Sequence, residues 1–219
     1  MKAFRESDRL GGVFLMVGAA SLLFIIVEYI VVTSGAPDFS QMPERAAYYL
    51  EQYPTLARGW HFEILAMVLV GAGAMMRLDT RGKAGWALST MGIAAVLPMY
   101  PLMIGGYPLV LEAAQDDTFA YAVLNEIAWE IFVAGNMILS LGLALAFWLE
   151  CRAPSQRAPV WLMWVGFVSN LAAGLGFVAI YAGLPVQISQ AGPFALLGFL
   201  ALAMFGAFQA FKRTDATQV

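Results

Sequence analysis

Long apolar segments alternate with short polar ones along almost the whole chain of 219 residues. Six of the apolar segments have about the length, roughly 20 residues, that a helix needs to cross a bilayer. These predicted spans cover residues 10–33, 59–76, 84–106, 119–149, 160–182 and 193–211. The expected fold class is therefore an all-α membrane protein, with a six-transmembrane-helix bundle as a single integral-membrane domain over residues 1–219.

The polar segment between the first two spans contains a shorter pattern of its own. Apolar and aromatic residues recur there at the spacing i, i+3, i+4 and i+7, with a proline at either end. They are Ala46, Tyr49, Leu50 and Tyr53, between Pro43 and Pro54. This spacing predicts a short amphipathic helix, and we expect it to lie flat on the outer membrane surface.

The composition supports the membrane class. The chain is 61% hydrophobic and 12% charged, whereas a soluble domain carries about 25% charged residues. No basic tract suits nucleic acid, and the single cysteine, Cys151, excludes an internal disulfide and a cysteine-based zinc site. No removable signal peptide is expected. The expected partners are the lipid bilayer, a small-molecule or ion ligand, and a homo-oligomer or membrane-complex partner.

Basic residues are divided unequally between the two ends of the predicted spans. Of the 12 Lys and Arg residues, only Arg45 and Arg58 fall at the ends that would share a side with the loop after the first span. Cytoplasmic loops carry the excess of Lys and Arg. The pattern therefore predicts a bacterial-type inner (plasma) membrane protein, multi-pass, with both termini in the cytoplasm.

With this orientation, ionisable residues of the spans collect in the outer half of the bilayer. A charge at the bilayer centre costs at least about 2.5–3.5 kcal/mol, so such residues usually face a protein interior or a wet cavity. The inner half is expected to contain no comparable ionisable group. The residues of the outer layer are Glu28, His61, Glu63, Glu126 and Glu130, with Asn125 and Trp129 beside the last two.

The third span adds a break in the helical backbone at the same depth. Pro98 and Pro101 each remove one helical hydrogen bond, and Gly105 and Gly106 follow. Irregular backbone at membrane depth occurs only where protein or water covers it. We therefore expect this span to bend toward a pocket, with Tyr100 in its wall.

These residues predict an outward-facing acidic pocket that binds or transports a small cationic or proton-coupled ligand. Carboxylates that share a low-dielectric site can hold protons or a cation. A metal, if one binds, would use Glu126, Glu130 and His61, because oxygen and imidazole ligands suit divalent cations. The expected ligand-binding residues are Glu28, His61, Glu63, Tyr100, Asn125, Glu126, Trp129 and Glu130.

A second interpretation is a membrane enzyme that uses acid catalysis on a lipid-soluble substrate. The segment EIAWEIF, residues 126–132, resembles the Asn-x-x-Trp-Glu motif of membrane-bound terpene cyclases from meroterpenoid pathways, with Glu126 in place of the asparagine. The resemblance implies Glu130 as the catalytic proton donor.

A third interpretation is an accessory or structural subunit of a membrane complex. The small residues of GAGA in the second span and NLAAGLG in the fifth suit close helix packing. No haem, retinal or nucleotide site is expected, because the chain has one histidine, no lysine inside a span and no phosphate loop.

Overall fold

The computed structural model describes residues 2–38, 40–114, 117–152 and 158–211, with side chains from residue 8 onward. Every regular element in these ranges is helical, which confirms the all-α class. The elements are α1 (Lys2–Ser34), α2 (Met42–Met75), α3 (Lys83–Val96), α4 (Met99–Pro101), a π-helical turn (Leu102–Gly106), α5 (Tyr107–Ala113), α6 (Phe119–Glu150), α7 (Val160–Tyr181) and α8 (Ile188–Phe211).

Five helical segments are long and apolar enough to cross a membrane, as expected of a multi-pass membrane protein. They are Asp8–Ser34, Lys83–Ala113, Phe119–Glu150, Val160–Tyr181 and Ile188–Phe211. The predicted second span, 59–76, is not one of them. It forms the last part of α2, where Arg58 and Glu63 interrupt the apolar sequence. The count of six is thus not confirmed by length and composition alone.

The predicted surface helix is not a separate element. Its residues form the first part of α2, which continues through Pro54 as one helix. A proline inside a helix costs about 3 kcal/mol or more. Packing offsets this cost, because Ala46, Tyr49, Leu56 and Trp60 are buried on one side of α2.

The long helices pack in a closed ring. Helix α1 lies between α2 and α8, α7 lies between α8 and α6, and α3 lies between α6 and α2. Helices α1 and α6 are therefore on opposite sides of the ring. We call the end with the α1–α2, α5–α6 and α7–α8 connections the glutamate end, since Glu28 lies toward it. The other end, with Arg77, is the arginine end.

Glycines bring α3 and α6 unusually close together. A methyl group added at Gly92 would lie 2.3 Å from the backbone nitrogen of Leu139, and one added at Gly142 would lie 2.4 Å from that of Ser89. No side chain fits at such distances. Gly85 and Gly135 make equally close contacts along the same crossing, so this helix pair is fixed by backbone contact.

The third span is interrupted where the prolines predict it. Helix α3 ends at Val96, and a π-helical turn at Leu102–Gly106 separates α4 from α5. The irregular backbone is covered, because the Tyr53 hydroxyl of α2 donates a hydrogen bond of 2.5 Å to the carbonyl of Ile104. The first part of α2 therefore covers the break in the third span.

Candidate functional site

The glutamate end contains a core built from tyrosines. All tyrosines except Tyr181 pack in or against one buried cluster of α1, α2, the third span and α6. Trp60 is buried in this cluster, with its ring 5.7 Å from that of Tyr107 and 6.2 Å from that of Tyr53. The Tyr107 ring is in turn 5.9 Å from that of Tyr121. Phenol groups therefore supply polar atoms inside an apolar core.

Glu63 is the buried carboxylate of this region. Its residue is only 6% exposed, and the Tyr29 hydroxyl donates a hydrogen bond of 2.8 Å to its Oε2. None of the ion pairs in the described part of the chain involves Glu63. A carboxylate without a cationic partner is costly to bury in charged form. Its position therefore favours a bound proton or cation.

Tyr100 faces the same carboxylate from the third span. This tyrosine is fully buried, and its hydroxyl has no described partner at hydrogen-bond distance and angle. A buried hydroxyl without a partner costs free energy that folding usually avoids. Glu63 thus lies between the Tyr29 hydroxyl, which donates a hydrogen bond to it, and the Tyr100 hydroxyl, which is close enough to form a second one.

Glu28 has a different environment. It forms an ion pair of 2.8 Å with Arg58, and the two side chains are 25% and 61% exposed, respectively. The pair lies at one end of an open groove of about 780 Å³ between α1 and α2. Glu28 is therefore neutralised at the surface and does not share the buried site of Glu63.

Glu126 and Glu130 are exposed on α6. They lie on the side of this helix that also presents exposed Val123 and Ile127. Because α6 is opposite α1 in the ring, the structure does not bring Glu130 together with Glu28. The geometry also gives no support to catalysis by Glu130 as implied by the terpene-cyclase resemblance, because a proton donor of that kind needs an enclosed apolar cavity.

The two polar neighbours of these glutamates are only partly covered. Asn125 is half-buried, and Trp129 is 36% exposed. The Trp129 ring stacks on Phe132 at 6.0 Å. Their role as ligand-binding residues stays a prediction, and Glu63 is not among their contacts.

His61 lies apart from the carboxylates with which it was grouped. It is exposed, and its Nδ1 lies 2.6 Å from the carbonyl oxygen of Ala57, one turn earlier. Glu126, Glu130 and His61 do not assemble into a metal site, since the described residues contain no group of three or more candidate metal ligands.

A buried ionisable pair lies at the arginine end, just beyond the predicted spans that end at residues 76 and 149. At the arginine end, Arg77 is 4% exposed and Glu150 is 6% exposed. Their side chains form an ion pair of 2.9 Å, and the same carboxylate oxygen accepts hydrogen bonds from Thr80 and Trp86. The sequence places these two residues at span ends, where they read as ordinary solvated charges, and no local spacing links them.

No protein-family model, curated protein or solved structure matches this chain. Together, the fold and the site define an all-helical class with five described helices long and apolar enough to cross a membrane and with a buried, tyrosine-bound carboxylate.

Proposed function

We propose that this chain is a six-span inner-membrane protein with both termini in the cytoplasm, in which Glu63 reversibly binds a proton. The proton is coupled to the binding or transport of a small ligand at the outward-facing, glutamate end. The observation that carries the proposal is the burial of Glu63 against the Tyr29 hydroxyl with no ion pair to a described residue.

The path of α2 supports its assignment as a membrane span in addition to the five long apolar helices. Gly59 of α2 lies against the Tyr29 ring of α1, whereas Met76, just beyond α2, lies against Gly11 of α1. Gly11 and Tyr29 are separated by roughly 27 Å along the helix, close to the roughly 30 Å of hydrocarbon in a bilayer. Helix α2 thus takes the chain from one end of the bundle to the other.

The chemistry of the site supports proton binding. A charged carboxylate at membrane depth costs at least about 2.5–3.5 kcal/mol, and a bound proton removes that cost. A protonated Glu63 donates one hydrogen bond, and Tyr100 is positioned to accept it. When the proton leaves, the two phenols can both donate to the carboxylate. Both protonation states therefore have hydrogen-bond partners, as reversible exchange requires.

The proposal is tested by proton uptake after a pH jump, followed with an indicator dye on purified protein. We expect the wild type to take up about one proton more per chain than Glu63→Gln, because one titrating carboxyl is lost. Tyr29→Phe should shift the pH at which this proton is taken up.

Glu130→Gln is not a suitable control for the number of protons taken up, because it also removes one carboxyl from the chain. The matched control is Gln52→Glu in the Glu63→Gln background, which adds a partly exposed carboxyl to the same helix. Equal uptake by wild type and Glu63→Gln would overturn the proposal. Restoration of the wild-type titration by the added carboxyl would also overturn it.

A further inference from the structure

An open groove runs along the outside of α1 at the glutamate end, away from the Glu63 site. It has a volume of about 780 Å³, which is within the range of roughly 300–1,000 Å³ typical of small-molecule sites. Its floor consists of buried Ile25 and the small residues Ala20 and Ser21, and Phe24 and Phe62 project at its edges.

The length of the groove fits one acyl chain. It extends along α1 from Met16 to Glu28, which is about 18 Å of helix. The hydrocarbon part of one leaflet is about 15 Å, half of the roughly 30 Å core. Apart from Ser21, the wall is apolar until Glu28 and Arg58. The polar end therefore falls where the head group of a lipid in that leaflet would be.

The charge pair at the end of the groove suits a zwitterionic head group. Arg58 uses one Nη2 contact for Glu28 and remains 61% exposed, and a guanidinium has five N–H donors. Glu28 remains 25% exposed, and a carboxylate can accept about four hydrogen bonds. A phosphate can bind the free donors of Arg58 while a primary ammonium binds Glu28.

We propose that this groove is a binding site for one phospholipid with a primary ammonium head group, of the phosphatidylethanolamine type. The acyl chain lies over Ala20 and Ser21, the phosphate binds Arg58 and the ammonium binds Glu28. The site is separate from Glu63, so it goes beyond proton binding and does not depend on it.

The test is native mass spectrometry of the purified full chain with added phosphatidylethanolamine, phosphatidylcholine or phosphatidylglycerol. We expect the wild type to retain one phosphatidylethanolamine and to bind the other two more weakly, since choline has no N–H and glycerol has no charge. Arg58→Gln and Glu28→Gln should each weaken phosphatidylethanolamine binding about tenfold, the loss of a charge-assisted hydrogen bond. Ala20→Trp should weaken it by filling the groove.

Matched controls separate this site from general effects on the protein. Arg81→Gln removes one exposed charge at the arginine end, and Ala94→Trp adds the same bulk on an exposed face of α3. Neither should change lipid binding. Glu63→Gln should also leave it unchanged, whatever its effect on proton uptake.

Three results would overturn the lipid site. One is equal binding of phosphatidylglycerol with no effect of Glu28→Gln, and another is lipid binding that survives Arg58→Gln. The third is a wild-type dimer that Ala20→Trp dissociates, because the groove would then hold a second copy of the chain.

Discussion

At the residue scale, the side to which a helix turns decides what a glutamate can do. Glu63 is buried and bound by a phenol, Glu28 is paired with Arg58 at the surface, and Glu130 is exposed. Their sequence surroundings are similarly apolar. The difference lies in the neighbouring helices. They cover the side of α2 that presents Glu63, and they leave uncovered the side of α6 that presents Glu130.

The buried pair at the arginine end gives a prediction at this scale. Removing one partner leaves an uncompensated buried charge, which typically destabilises by about 3–5 kcal/mol. We expect Arg77→Met to lower stability by about this amount in denaturant unfolding. Thr80 and Trp86 also donate hydrogen bonds to the Glu150 carboxylate. Because both side chains are uncharged, they cannot replace the lost positive charge.

The double variant Arg77→Met with Glu150→Met is the informative comparison. Because no charge is then left buried, it should recover much of the loss caused by Arg77→Met alone. The control is Arg81→Met, an exposed arginine of the same connection, which should change stability little. A double variant as unstable as the sum of both single variants would show that the pair does not act as a unit.

At the scale of elements, backbone contact between α3 and α6 holds the third span in place. Tolerance to one added methyl group differs sharply between glycines of this chain. We expect Gly92→Ala to destabilise the protein by about 1–3 kcal/mol through overpacking, because its Cβ would lie 2.3 Å from the Leu139 nitrogen.

Gly192→Ala is the matched control for this substitution. Gly192 is also helical, in α8, but has no atom within 4 Å of an added Cβ. This change should be neutral or slightly stabilising, since alanine favours helix by about 1 kcal/mol over glycine. Thermal unfolding of both variants tests whether backbone contact fixes the crossing of α3 and α6. Equal effects of the two substitutions on the unfolding temperature would contradict this.

Much of the fold follows from sequence, because apolar length and proline position act locally. The five spans and the interruption after Val96 are of this kind. Glu63 could also have been singled out, since it shares one side of α2 with Ala66, Val70 and Ala74, whose small side chains mark a packed face. His61, two residues earlier, turns to the other side.

The rest depends on contacts between distant segments. Helix α6 is apolar on most sides, so its sequence does not show which side stays uncovered or that Glu130 lies there. Tyr29 and Glu63 are 34 positions apart, and Arg77 and Glu150 are 73 apart. No helical periodicity extends over such separations, so these pairs emerge only when the ring closes.

At the scale of the whole molecule, the proposed topology places the α1–α2 connection outside and the α2–α3 connection in the cytoplasm. In a Cys151→Ser background, Asp38→Cys should react with a membrane-impermeant maleimide added to intact cells. Asp79→Cys should react only after the cells are opened. Labelling of both positions from outside would mean that α2 does not cross the membrane.

The most direct test of the central claim is the infrared spectrum of the Glu63 carboxyl group. In difference spectra recorded between acidic and alkaline pH, the wild type should show the C=O band of a protonated carboxyl in an apolar site. Glu63→Gln should lose this band, whereas Glu130→Gln should retain it. A band that persists in Glu63→Gln, or that disappears in Glu130→Gln alone, would contradict the assignment of Glu63 as the proton-binding group.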